Sequence, residues 1–414
     1  MNIIEKILAK NSGKKEVYPD DFVWARIDFG IANDITGPLA IREFEKNGFK
    51  KVKYPNRAGF IPDHFTAAKD IKSAYQVDIL REFSKKHKIK YFFEIGKVGI
   101  EHVLIPDEGL ALPGELIIGA DSHTCTYGAL GCLSTGVGST DFACFLATGK
   151  LWFKVPRTIK IIYFGKLRKN VTGKDLILYT IGKLGVNGAN YRAVEFSGET
   201  IKNLPLSDRF TMCNMVIEFG GKCGYMEPDG KVLRYVRERA KRKYTLIYND
   251  KEVNYEKVIE IDVRKIEPQV SFPHLPSNSK PISSIKKRIY IDQVVIGSCT
   301  NGRIEDLRIA AKVLKGKKVK VPTLIFPATP DVYKKALEEG LIKIFIDAGC
   351  VINPPTCGPC LGGHLGVLSK GKKCVATTNR NFIGRMGDPE SEVYLSSPYI
   401  ASKVATKGYL GGDL

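Results

Sequence analysis

Residues 288–302 read RIYIDQVVIGSCTNG, and this stretch decides the fold. Its apolar residues up to Ile296 read as a buried strand, and GSCTNG reads as the loop that ends it. Further along, EDLRIAAKVLKG (305–316) has the period of a helix and VPTLIFPAT (321–329) reads as a strand. VYKKALEEGLIKIFIDAG (332–349) then reads as helix. Strands alternating with helices argue for an α/β protein with largely parallel sheets. In such folds the chemistry collects in loops at the carboxyl ends of strands.

The same alternation runs back to the N-terminus. PLAIREFEKNG (38–48) reads as a helix ending at Gly48, and IKSAYQVDILREFSKKH (71–87) as a helix with Lys and His in its last turn. ELIIGADSHT (115–124) is a short apolar strand that stops at a polar cluster. The Gly-rich stretch 128–149 suits close backbone packing around a site. A second block opens at the alternating strand TIKIIYFGKL (158–167) and includes the strongly basic VLRYVRERAKRK (232–243). It closes in SFPHLPSNSKP (271–281), whose prolines suggest a linker. The expected division is three α/β domains, 1–157, 158–284 and 285–414.

The net charge of +20 favours anionic partners, whether nucleic acid, an acidic membrane or small carboxylates. Most of the excess is Lys scattered along the chain, which reads as a solvated surface. The basic run 232–243 reads as the wet face of a helix, so a nucleic-acid partner is not expected. No stretch reaches the roughly 18 apolar residues of a membrane span, so no membrane partner is expected. The first residues, MNIIEKILAKNSGKKE, lack the apolar core of a secretory signal. A cytoplasmic location follows as an expectation, with ten cysteines free or bound to metal.

CGPC (357–360) has three readings: a thioredoxin-like dithiol, half of a zinc site, or part of an iron–sulfur centre. A dithiol of that kind opens a helix in a small domain of its own, whereas this motif lies late in a long chain. Cys299 sits alone after the strand that ends at Ile296. Cys299, Cys357 and Cys360 together make three thiolates, which on a four-iron cube leave one iron open as a Lewis acid. The cysteines alone leave cluster and dithiol evenly matched. His364 is a further possible ligand, and a structural role is the simpler reading for it. The remaining cysteines read as small buried side chains.

GSCTNG, CGPC, DSHT (121–124), CNM with Glu218 after it, and NRNFIGR (379–385) occur together. In this combination the chain resembles the aconitase superfamily, most closely its two-subunit isopropylmalate isomerases and homoaconitases. The matching motifs span residues 33–385. The resemblance implies one [4Fe–4S] cluster with an open, non-cysteine-ligated iron, held by Cys299, Cys357 and Cys360. It implies that Asp63 orients His64 and that His64 protonates the departing hydroxyl. His102 resembles a histidine that pairs with a glutamate, in whose place Glu218 stands. Asp121 and His123 resemble groups around the iron-bound hydroxyl, with Ser122 a substrate contact between them. Asn33 matches a substrate-binding amide, although the single-chain aconitases have Gln there. Asn214 and Asn379 match amides that touch the cluster. Arg380 and Arg385 match clamps for substrate carboxylates, a task suited to arginine's planar fork.

The resemblance further implies a hydro-lyase, reversibly dehydrating and rehydrating a small hydroxy di- or tricarboxylic acid. The first expectation is the interconversion of 2- and 3-isopropylmalate in leucine synthesis, and the second is homocitrate chemistry. The single-chain members carry a swivelling fourth domain that supplies the catalytic base. Here 29 residues follow Arg385, so the expectation is a separate small subunit carrying that domain. Two unrelated alternatives are a thiol–disulfide oxidoreductase using Cys357 and Cys360, and a nucleic-acid binder.

Overall fold

The structure is a computed structural model that describes residues 1–412 and 414. Three sheets carry it, and they follow one another along the chain. The first has five strands, in spatial order Tyr91–Phe92, Ala58–Ile61, Phe29–Asn33, Leu116–Gly119 and Leu133–Gly136. All its neighbours run parallel. The middle strand Phe29–Asn33 is buried at every residue, as a parallel strand covered on both faces must be. The second sheet has four parallel strands, Cys223–Tyr225, Ala193–Ser197, Thr158–Phe164 and Lys257–Asp262.

The third sheet has seven strands. Glu392–Ser396, Lys373–Ala376, Gln293–Ile296, Thr323–Ile325 and Val351–Ile352 are parallel. Gln269–Ser271 and Ser279–Pro281 add an antiparallel hairpin at one edge. The expected linker 271–281 is therefore a hairpin loop. The Ser271 hydroxyl closes it by donating to the carbonyls of Leu275 (3.0 Å) and Pro276 (2.9 Å). The helix expected over 332–349 is two helices, Pro330–Glu338 and Leu341–Ala348. Gly340, left-handed at φ 72°, breaks them where a residue with a side chain would be strained.

One apolar core joins all three sheets. It takes Phe29, Ile31 and Ile61 from the first, Ile161, Val194 and Phe196 from the second, and Val295, Ala376 and Leu395 from the third. Separate cores fill the outer faces of the first and third sheets. The helix from the basic run covers only Gly230–Arg237. Beyond it, Arg239 stacks on Tyr235, Lys241 pairs with Glu108 and Arg242 takes Glu115 in a two-pronged contact. Much of that charge is thus spent inside the molecule, which weakens the nucleic-acid alternative. Among the described residues, no helix is long and apolar enough to cross a membrane.

Candidate active site

Strand ends deliver most of the expected residues to one place. Asn33 closes its strand, Asp63 and His64 follow Ile61, and Asp121 and His123 follow Gly119. In the third sheet Cys299 follows Ile296, Cys357 and Cys360 follow Ile352, and Asn379 and Arg380 follow Ala376. Two loops are tied together by main chain. The Asp63 carbonyl accepts from the Cys357 N–H at 3.0 Å and from the Thr356 hydroxyl at 2.6 Å.

Phe326 spaces the two cysteine loops. A Cβ on Gly297 would lie 2.6 Å from Phe326 Cβ, and one on Gly358 would lie 2.6 Å from the Phe326 ring. Gly358 is also left-handed, at φ 58°. Only glycine meets both demands, so the Gly of CGPC has a packing reason here. Beyond Cys357 the chain makes a four-residue 3₁₀ turn, Gly358–Leu361, not the long helix that a redox dithiol would head.

Amides converge on the sulfurs. Asn214 Nδ2 and Asn379 Nδ2 each donate to Cys299 Sγ at 3.3 Å. Cys360 Sγ lies 3.6 Å from Asn379 Oδ1, and Asn379 Nδ2 donates to Asn214 Oδ1 at 3.1 Å. Burial pushes the Cys299 thiol up to about 12 and the Cys357 thiol well above its ordinary value. Burial thus disfavours the thiolate form of both, and a metal centre would offset that cost. Three soft donors, all free of disulfides, fit an iron–sulfur cluster better than a hard cation.

Acid–imidazole pairs surround the cysteines. His64 Nδ1 is 2.7 Å from Asp63 Oδ1, and Asp34 accepts the main-chain N–H groups of His64 and Phe65 at 3.0 and 2.8 Å. Burial pulls the His64 imidazole down, but Cys357, Asp63 and Asp34 outweigh it and leave it well above the ordinary histidine value. His102 Nε2 meets Asp121 Oδ1 at 2.9 Å and its Nδ1 meets the Tyr127 hydroxyl at 3.1 Å. The expected pairing of His102 with Glu218 is thus replaced. Glu218 Oε1 instead meets His123 Nε2 at 2.8 Å, and both Glu218 oxygens accept from Arg380 Nε, at 2.9 and 3.0 Å. Burial would raise the Glu218 and Asp121 carboxyls. Their cationic partners win, holding Glu218 below and Asp121 well below the usual range.

The two arginines are presented differently. Arg380 spends its ε edge on Glu218, which leaves the terminal guanidinium nitrogens for a ligand. The Arg385 side chain makes no hydrogen bond or ion pair among the described residues, and its buried Nε lacks a partner. Ser122 lines a cavity of about 400 Å³ together with Thr135, Lys222 and Tyr191. His364 is a structural histidine, its Nε2 donating to the Thr66 carbonyl at 3.2 Å.

Asp34 and Tyr127, which brace His64 and His102, escaped the sequence reading, and so did Glu101 and Lys174. Glu101, within GIEHV, is 1% exposed and accepts from Asn33 Nδ2 at 3.0 Å. Lys174 is fully buried, which pulls its amine down to about 7, and its Nζ donates to the carbonyls of Thr377 (2.7 Å) and Thr378 (2.6 Å), next to Asn379. Neither Glu101 nor Lys174 stands out in sequence, because Glu and Lys in the first turn of a helix are usually solvated.

The family model "Aconitase family (aconitate hydratase)" matches residues 5–408. A protein of Thermodesulfovibrio yellowstonii named 3-isopropylmalate dehydratase large subunit is 60% identical, covering 99% of this chain and 98% of its own. One from Caldicellulosiruptor bescii with the same name is 57% identical, covering 99% and 96%. The 3-isopropylmalate dehydratase large subunit 1 of Pyrococcus furiosus is 60% identical, covering 99% and 97%. In structure, aconitase X of Thermococcus kodakaraensis superposes with a TM-score of 0.51 at 16% identity over 94% of this chain and 87% of that one, a likeness of fold. By the family match and by these full-length relatives, this chain belongs to the aconitase family.

Proposed function

We propose that the chain is the large, cluster-bearing subunit of a 3-isopropylmalate dehydratase, a hydro-lyase that interconverts 2- and 3-isopropylmalate. Relatives of that name at 57–60% identity over full length support the reading. The observation that carries it is the meeting of Cys299, Cys357 and Cys360 with three carboxylate-bound imidazoles and Arg380 where strand ends converge.

Membership of the aconitase family implies an iron–sulfur cluster. Cys299, Cys357 and Cys360 would hold it as [4Fe–4S], and when bound it supplies Lewis acidity toward a substrate hydroxyl and carboxylate through an iron without a cysteine ligand. The chain's own groups do the rest. Asp63 holds Nδ1 of His64, which leaves Nε2 to deliver a proton to the departing hydroxyl and to recover it in the reverse direction. Asp121 and Glu218 bracket the His123 ring from its two nitrogens, at 3.6 and 2.8 Å, and fix its orientation. Arg380, aimed by Glu218, and the unpaired Arg385 bind substrate carboxylates.

As the large subunit, the chain would act with a small subunit. That partner would supply the base for the carbon-bound proton and read the isopropyl group. Ten free cysteines support a reducing, cytoplasmic setting. The test is anaerobic cluster reconstitution, mixing with a candidate small subunit, and a panel of isopropylmalate, homocitrate, citrate and citramalate. Turnover of isopropylmalate by the mixture alone is expected. Preference for another acid, or full activity of this chain by itself, would overturn the proposal.

A further inference from the structure

Glu101 is the surplus acid of the site. Its Oε1 accepts from Asn33 Nδ2 at 3.0 Å and lies 3.6 Å from His102 Nε2. Its Oε2 is buried without a partner. The Asp63 carboxylate is close, accepting the Glu101 main-chain N–H at 2.8 Å. Side-chain atoms of Glu101, His102 and Asp121 lie within 4.8 Å of one another. The neighbouring imidazoles are already engaged: His64 by Asp63, and His102 and His123 by Asp121, with His123 also on Glu218. Tyr127, packed against His102, brings a hydroxyl and no charge. A third carboxylate between Asp63 and Asp121 would meet two like charges with no basic side chain hydrogen-bonded to it.

We propose that Glu101 is a further positioning residue, a carboxylic acid that works in its neutral form and fixes both the Asn33 amide and the His102–Asp121 pair. Asn33 shows the need for such a group. Its Oδ1 accepts the N–H groups of Ile35 and Thr36 and the Thr36 hydroxyl, all at 3.0 Å, so only its Nδ2 remains to be aimed. Glu101 Oε1 takes one Nδ2 proton and leaves the other for a ligand. A neutral Glu101 also leaves Asp121 as the sole counter-ion at His102 Nε2, so the imidazole is not pulled between two carboxylates. Burial and the charges of Asp63 and Asp121 drive the Glu101 carboxyl well above its ordinary range, with His64 and the Asn33 bond opposing. The proton belongs on Oε2, since an unpartnered buried O–H costs less than an unpartnered carboxylate oxygen.

The proposal rests on the dehydratase reading for the role of Asn33, but its first test does not need turnover. An infrared difference spectrum of the holoprotein at neutral pH, wild type minus E101Q, should show the carbonyl stretch of a protonated carboxyl. Carboxylate bands in its place would overturn the proposal. The second test is kinetic. E101L should raise KM by about tenfold or more, and E101Q, which keeps a neutral acceptor for Asn33, should recover most of that loss. The wild-type and E101Q pH profiles should share their limbs. A loss in E101Q as deep as in E101L would show that Glu101 acts as a charge and would overturn the proposal. If E101L fails to fold, E101Q and the infrared spectrum still decide. Failure of the wild type to turn over isopropylmalate would count against the function proposed for the chain and leave the infrared result standing.

Discussion

Replacing Glu218 by Gln tests how Arg380 and His123 are aimed. Both Glu218 oxygens are in use: Oε1 faces His123 Nε2 at 2.8 Å and Arg380 Nε at 2.9 Å, and Oε2 faces Arg380 Nε at 3.0 Å. The side chain is buried, so water cannot replace a lost contact. Gln keeps one acceptor oxygen and turns the other into an NH₂ donor, which must face an N–H. One charge-assisted hydrogen bond is lost, worth roughly 1.5–3 kcal/mol. At ~1.4 kcal/mol per factor of ten, that is roughly a 10- to 150-fold fall in kcat/KM. The arginine binds a carboxylate present before and after dehydration, so most of the fall should appear in KM. The assay is steady-state kinetics of the reconstituted large and small subunits, with iron measured on the same sample. Values within threefold of wild type at equal iron content would refute the idea that Glu218 aims these groups.

Three other perturbations follow from the same structure. G358A should lower iron retained per chain, because the new Cβ meets the Phe326 ring at 2.6 Å and φ 58° adds about 1–2 kcal/mol of strain; full iron would contradict this. K174M should lower the urea midpoint by the equivalent of about 1–3 kcal/mol, since the buried Thr378 carbonyl loses its donor and Thr377 keeps only the Thr300 hydroxyl; an unchanged midpoint would count against it. Burial, helped by Asp306, raises the Asp208 carboxyl to about 7, so its contribution to stability is complete below about 3.8 and is lost as pH rises through 7. D208N mimics the neutral acid, so its urea stability should draw ahead of wild type as pH rises from about 4 and reach a lead on the order of 4 kcal/mol by about pH 7; parallel curves from pH 5 to 7 would refute this.

How far the sequence could be read depended on the range of each cause. Strand ends were legible because a short apolar run stopping at DSHT or GSCTNG carries its signal within a few residues. The pairing of His102 was not. Which carboxylate it meets is set by the helix Glu101–Asp107 crossing the turn Ser122–Leu130, a tertiary contact. The run 232–243 looked solvated because its acidic partners, Glu108 and Glu115, lie more than a hundred residues away. The 271–281 hairpin was missed because its prolines signal a loop, and the sheet edge tolerates them at Pro281, where no central strand would. Glu101 and Lys174 gave no signal, since burial alone gives them roles.

The central claim is that three cysteines and no others hold the cluster. Its most direct measurement is iron per chain, with the spectroscopic signature, after anaerobic reconstitution of C299S, C357S, C360S and the control C374S, whose sulfur lies in the core of the third sheet. About four irons per chain are expected in the control and in wild type, with loss of the [4Fe–4S] signature in each of the other three. A full iron complement and an unchanged signature in C299S, C357S or C360S would contradict it.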